Sequence, residues 1–191
     1  MKYILAIDQS TSGTKALLFD ESAQLIGRSD LPHTQKISEN GWVAHDPMEI
    51  WENTKGVVKA VVEKTGIDRG EIAGIGISNQ RETALVWDRE SGLPVYDAIV
   101  WQCARGAKIC EGLSEYADMI RERTGLRLSP YFSAAKIAWV LQNAGDLSGR
   151  KLCCGTIDSW LVFKMTGGAE FRCDYSNASR TQLFNIRTLS W

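Results

Sequence analysis

Apolar positions along the chain follow strand-like runs first and helical spacing later. Tyr3–Ile7 is a continuous apolar run, Ala16–Phe19 is a second ending at Asp20, and Leu25-Ile26-Gly27 is a third after a turn at Glu21–Gln24. Short apolar runs separated by polar turns predict an antiparallel meander of two or three strands. The polar stretch Gln9–Lys15, which contains Gly13, reads as a loop, and so does Asp30–Gly41.

At Asp46-Pro47-Met48-Glu49 several helix-start signals coincide. Asp46 suits the cap, Pro47 suits the first helical position, and Glu49 can reach back as a capping box. Ile50/Trp51, Thr54, Val57/Val58 and Val61/Val62 then recur at helical spacing until Gly66. Glu71–Ser78 reads as a buried strand opening into a polar turn at Asn79–Glu82. A hairpin is expected from Thr83–Trp87, a turn at Asp88–Leu93, and Pro94–Trp101. Ile109, Leu113, Ala117 and Ile120 form a helical stripe closed by Gly125; Ala134, Ile137, Ala138 and Leu141 form another closed by Gly145. Lys151–Cys154 predicts a short strand, and Thr156 can cap a helix running to Lys164 before Gly167-Gly168. Phe171–Trp191 shows no period. A meander followed by alternating helices and strands predicts an α/β fold with a mixed sheet covered by helices. Nothing in the chain resembles a repeat or linker, so it reads as one domain.

Composition narrows the function classes. Of 191 residues, 44% are hydrophobic and 24% charged, enough apolar material for a packed core without disulfide staples. Lys+Arg number 22 against 23 Asp+Glu, with no block of like charges. That balance argues against nucleic acid or an anionic membrane surface as the main partner. The five cysteines form no C-x-x-C pair and no zinc-like spacing with histidine. No segment approaches a membrane span or a signal-peptide core, and the free thiols point to a cytoplasmic protein. Only His33 and His45 are present, both placed in loops by this reading. A Ser-His-Asp or histidine–metal centre is therefore not expected, and a general base would be a carboxylate.

Three places carry candidate chemistry. In Asp8-Gln9-Ser10-Thr11-Ser12-Gly13-Thr14-Lys15, small hydroxylated residues let backbone N–H groups approach phosphate oxygens. Asp8 can hold a magnesium ion through water, and Lys15 can offset phosphate charge. The same composition also serves a ligand-free hairpin turn. Arg81-Glu82, just past a strand, can donate to and accept from polyol hydroxyls, or can be a surface ion pair. Trp101 at a strand end and Tyr131 after Pro130 suit an aromatic wall against a polyol. For Trp51 and Trp139, on helical faces, core packing is the simpler reading.

Taken together these stretches resemble a family that no single motif identifies. Ala6-Ile7-Asp8-Gln9-Ser10-Thr11, Gly41-Trp42-Val43 with His45–Trp51, and Gly76–Thr83 match in order. They are followed by Ala98–Cys103, Thr124-Gly125-Leu126 with Pro130–Ser133, Gly155–Trp160 and Asp174–Thr181. The chain resembles the N-terminal part of the FGGY carbohydrate kinases, most closely the branch that acts on glycerol. The resemblance implies a ribonuclease-H-like (actin-like ATPase) fold, its mixed sheet carrying helices on both faces, and a full-length protein of two such domains with the active site in the cleft. It implies phosphorylation of a terminal hydroxyl of glycerol by ATP with Mg2+, giving sn-glycerol 3-phosphate, by a homo-oligomer. By position, Arg81, Glu82, Trp101 and Tyr131 would bind the polyol; Ser10, Thr11, Ser12 and Lys15 would face phosphate; Asp8 would stand near the metal.

Some residues depart from that pattern. Ser10 stands where relatives have Gly, Lys15 where they often have Arg, and Ala104-Arg105-Gly106 where they carry two arginines and a threonine. These leave open a pentulose, tetritol or sugar-acid kinase of the same family. The family's base aspartate and second domain are expected beyond Trp191, so this segment alone is expected to be inactive. A truncated, non-catalytic binding module is the reading from a different class.

Overall fold

The computed structural model describes residues 2–191. Its strands are β1 (Tyr3–Gln9), β2 (Gly13–Phe19), β3 (Leu25–Pro32), β4 (Lys36–Ile37), β5 (Val43–His45), β6 (Ile72–Asn79), β7 (Ala84–Asp88), β8 (Ala98–Ile99) and β9 (Leu152–Thr156). Its helices are α1 (Pro47–Thr65), α2 (Ala107–Gly112), α3 (Ala117–Thr124), α4 (Ser133–Asn143), α5 (Ile157–Met165) and α6 (Tyr175–Ala178). The chain divides into two compact units that interleave in sequence. One comprises the chain up to Gln35 with Met48–Gln80; the other comprises Lys36–Pro47 with Arg81–Trp191.

In the first unit the sheet order is β3-β2-β1-β6, antiparallel except for the parallel pair β1/β6. Leu5, Ala16 and Leu18 on one sheet face pack against Val57, Val61 and Val62 of α1. Burying side chains of this size contributes about 2 kcal/mol each, so this face holds the unit together. Gly66 ends α1 in a left-handed conformation (φ 68°), its N–H bonded to the Val62 carbonyl at 2.9 Å. Glu49 accepts from the Thr34 N–H and hydroxyl.

The expected loop Gln9–Lys15 is shorter than its polarity suggests. Only Ser10–Ser12 lies outside the strands, and Asp8 pairs with Lys15 in register. Ladder hydrogen bonds use the backbone, so polar residues at alternate positions extend a strand as well as apolar ones do. Asp30–Pro32 likewise continue β3. The strand around Ile75 forms, but Ile75 is 54% exposed rather than buried. β6 is an edge strand here, paired only with β1 among the described residues.

In the second unit the sheet order is β4-β5-β8-β7-β9, with every pair antiparallel. Val86 and Ile99 of this sheet pack with Ile137 and Val140 of α4. The expected hairpin is ragged, β7 meeting β8 only at Ala84–Ile99. His45, expected in a loop, is fully buried within β5. The stripe from Ile109 to Ile120 is split into α2, a short 3-10 turn and α3, because Gly112 and Ser114 are weak helix formers. Thr156 precedes α5 but does not cap it through its side chain; its hydroxyl bonds the Asp158 carboxylate. The aperiodic tail contains α6, whose first turn is capped by Asp174 accepting from the Asn177 N–H at 2.7 Å.

Candidate functional site

The candidate residues fall into two groups, one in each unit. In the first unit, Asp8 and Lys15 face each other across β1 and β2, the Lys15 ammonium donating to the Asp8 carboxylate at 2.9 Å. Both side chains are about a third to two-fifths open to solvent (Lys15 32%, Asp8 40%), so the bond is easily exchanged for another partner. Between them the Ser10 hydroxyl donates to the Gly13 carbonyl at 3.0 Å and lies 3.4 Å from the Ser12 hydroxyl. Ser10 thus closes the turn in which it stands. Gly13 is required by packing: a Cβ there would lie 2.6 Å from the Leu31 carbonyl oxygen of β3.

The carbonyl of Thr11 is held from outside the turn, by His33 Nε2 at 2.9 Å and Gln35 Nε2 at 3.4 Å. Nε2 of His33 therefore carries a proton. Burial lowers the His33 pKa, against the opposing pull of the Thr11 carbonyl and Glu49. Sequence spacing gives no sign that either residue reaches this turn. No cluster of three metal-ligating side chains exists among the described residues. A single exposed carboxylate beside hydroxyls fits a hydrated Mg2+ that keeps most of its waters and is shared with phosphate; it does not fit a protein-caged ion.

In the second unit, Glu82 and Arg81 do not form the pair their adjacency suggests. Glu82 is 5% exposed, and its carboxylate accepts from Arg180 Nε at 2.6 Å. Arg81 is exposed and makes no ion pair among the described residues. The Arg180 guanidinium also lies 5.9 Å from the Tyr131 ring and 5.0 Å from the Phe132 ring, as cation–π contacts. Tyr131 in turn meets Trp101 edge-on, with ring centroids 5.7 Å apart. Glu82, Arg180, Tyr131 and Trp101 are thus linked through Arg180 and Tyr131 into one cluster, with Arg81 next to Glu82 in the chain.

Local structure explains each position. Ser133, the first residue of α4, donates its hydroxyl to the Glu82 carbonyl at 3.3 Å. The Trp101 N–H donates to the Thr83 hydroxyl at 3.2 Å. The Ala134 N–H binds the Thr181 carbonyl at 2.8 Å, which brings Arg180 to α4. Arg180 has no role that the sequence alone signals. Its partner lies 98 positions away, and no periodicity reports such a contact.

Two further sequence features resolve as packing. Arg105 is buried, its guanidinium about 5 Å from the rings of Trp42 and Trp139 and 5.8 Å from Tyr96. At Gly106 a Cβ would come 2.9 Å from the Ala135 side chain. The stretch Ala104-Arg105-Gly106 therefore packs against α4 and the rings of Trp42, Tyr96 and Trp139. Trp139 does pack on the core, while Trp51 is half-buried beneath Lys55. Among the described residues no helix is long and apolar enough to cross a membrane.

The model of the FGGY family of carbohydrate kinases, N-terminal domain, matches residues 3–191. A glycerol kinase of Fusobacterium nucleatum is 48% identical over 198 aligned positions, covering 100% of this chain and 40% of that protein. Glycerol kinase 2 of Thermotoga maritima is 47% identical, with 100% and 40% coverage. Among solved structures, Plasmodium falciparum glycerol kinase with ADP superposes with a TM-score of 0.90 at 37% identity, covering 100% of this chain and 39% of that one. A ligand-bound xylulose kinase from Lactobacillus acidophilus reaches 0.88 at 22% identity, with 100% and 38% coverage, a likeness of fold. The chain spans about two fifths of the length of the curated relatives it matches.

Proposed function

Because the chain belongs to the FGGY family of carbohydrate kinases, we propose that it supplies the polyol-binding and phosphate-facing residues of a glycerol kinase. The reaction is transfer of the terminal phosphoryl group of ATP to a terminal hydroxyl of glycerol, giving sn-glycerol 3-phosphate. One observation carries the polyol reading: the buried Glu82 carboxylate, paired with Arg180, stands in one cluster with the Trp101–Tyr131 aromatic wall.

A polyol needs acceptors and donors for its hydroxyls and an apolar surface for its C–H face. Glu82 accepts, the guanidinium of Arg81 has its donors free for a ligand, and the two aromatic rings give the surface. Charge-assisted bonds from this pair fix which hydroxyl is presented, and positioning is the larger part of phosphoryl transfer. On the first unit, Ser10, Thr11, Ser12 and Lys15 would face the phosphates, with Lys15 leaving Asp8 for a phosphate oxygen. Asp8 would hold Mg2+ through water, and the ion would neutralise phosphate charge there.

Neither Asp158 nor Asp174 fits the role of base. Asp174 is committed to capping α6, and Asp158 is buried against the Thr156 hydroxyl. The chain alone is therefore expected to bind polyol and not to turn it over. The test is ATP-dependent ADP release by the full-length gene product on glycerol, xylulose, ribulose, erythritol and gluconate. Preference for glycerol supports the reading. Preference for another compound keeps the reaction and moves the substrate, and no turnover on any returns the non-catalytic module.

A further inference from the structure

Tyr131 reaches its ring partners from irregular backbone between Ser129 and the start of α4, where the Tyr131 N–H donates to the Ser129 hydroxyl at 3.2 Å and the Phe132 N–H to the Ser129 carbonyl at 3.4 Å. Lys136, in the first turn of α4, lies fully buried beneath that segment. Its ammonium donates to the carbonyl of Pro130 at 2.7 Å, to that of Tyr131, and to that of Phe132 at 3.1 Å. An ammonium has three N–H bonds, and here each finds one of three consecutive carbonyls.

We infer that Lys136 is a positioning residue of the polyol pocket: its ammonium sets the backbone from which the Tyr131 and Phe132 rings meet Trp101 and Arg180. The inference rests on the polyol reading above. A residue that merely filled space here would be a methionine, which has similar length and no charge to desolvate. What methionine cannot do is satisfy three carbonyls that converge on one point. The chain carries the cost of a buried cation here, where it ties three consecutive carbonyls of the loop that bears Tyr131.

The tie also depends on protonation. Burial pushes the Lys136 pKa down to about 7, while Cys103, Glu82 and Cys110, the titratable groups facing it, act to raise it. The neutral amine offers two N–H bonds for three carbonyls, so one is released when the proton leaves.

Steady-state kinetics of the full-length enzyme on the same panel, from about pH 6 to about pH 9, test this. In wild type the KM for the preferred polyol is expected to rise severalfold as Lys136 loses its proton, with kcat changing much less. In Lys136→Met the KM is expected to be about tenfold higher at every pH and kcat within about twofold. Lys136→Arg, charged throughout, should remove the rise. A folded Lys136→Met enzyme with unchanged KM overturns the inference. If that variant does not fold, a wild-type KM flat across the pH range overturns it instead. Turnover of no polyol at all overturns the functional reading and this inference with it; turnover with a KM indifferent to Lys136 and to pH overturns the inference alone.

Discussion

Asp8 and Lys15 are seven positions apart and meet as cross-strand neighbours over a short turn, with both side chains partly in water. Glu82 and Arg180 are 98 positions apart and meet with the carboxylate almost fully enclosed. The first pair needs only a hairpin in correct register. The second needs β7, α4 and the segment after α6 all in place. Solvent decides what each can do. A half-exposed ion pair is worth less than about 1 kcal/mol, so Lys15 can change partners for a phosphate at little cost. A buried carboxylate that loses its guanidinium costs several times that, so Glu82 is held in one geometry by Arg180.

The largest expected effect breaks this contrast on the kinetic side. Asp8→Asn should lower kcat of the full-length enzyme by at least about 100-fold, with a stability change below about 1 kcal/mol. Paired steady-state kinetics and urea unfolding check it, and a stability loss comparable to the kinetic one would show that Asp8 is structural. Arg180→Ala should do the reverse, costing about 2 kcal/mol of stability, discounted because Arg180 is 31% exposed, and raising the polyol KM. In a Glu82→Gln background the same replacement should cost less, since no charge is then stranded. Equal costs in the two backgrounds would deny the coupling.

Smaller effects sharpen the account of the first unit. Gly13→Ala should cost about 2 kcal/mol, because its Cβ meets backbone of β3. Gly76→Ala, with nothing within 4 Å of the added atom, should be neutral or stabilise by up to about 1 kcal/mol. Denaturant midpoints of the two variants decide whether the turn is held by packing. The smallest effect concerns His33. Its pKa is lower in the fold than in the unfolded chain, so below about pH 6.5 the unfolded chain binds a proton that the fold resists. Stability should therefore fall on acidification through that range, and His33→Gln should flatten the fall.

Much of the scaffold was legible because the signals are local. The start of α1 at Pro47, its end at Gly66 and the meander of β1–β3 each depend on residues within one or two turns of chain. The turn at Ser10–Ser12 is legible for the same reason, although alternate polar positions hide how far β1 and β2 extend. The exposure of Ile75 was not legible, since an apolar run reports what a strand is made for and not which neighbours it has. Nor was the division into two units, whose interleaved segments leave no linker to mark a boundary.

The sequence by itself determined the element types, the ordered stretches shared with carbohydrate kinases, and the candidates Asp8, Lys15, Arg81, Glu82, Trp101 and Tyr131. Tertiary structure decided which of these act together. It took Glu82 away from its neighbour Arg81 and gave it to Arg180, and it placed three carbonyls on Lys136. The physical reason is range. Hydrogen-bonding pattern and side-chain period act over a few residues, whereas burial of a charge is set by every segment that packs around it.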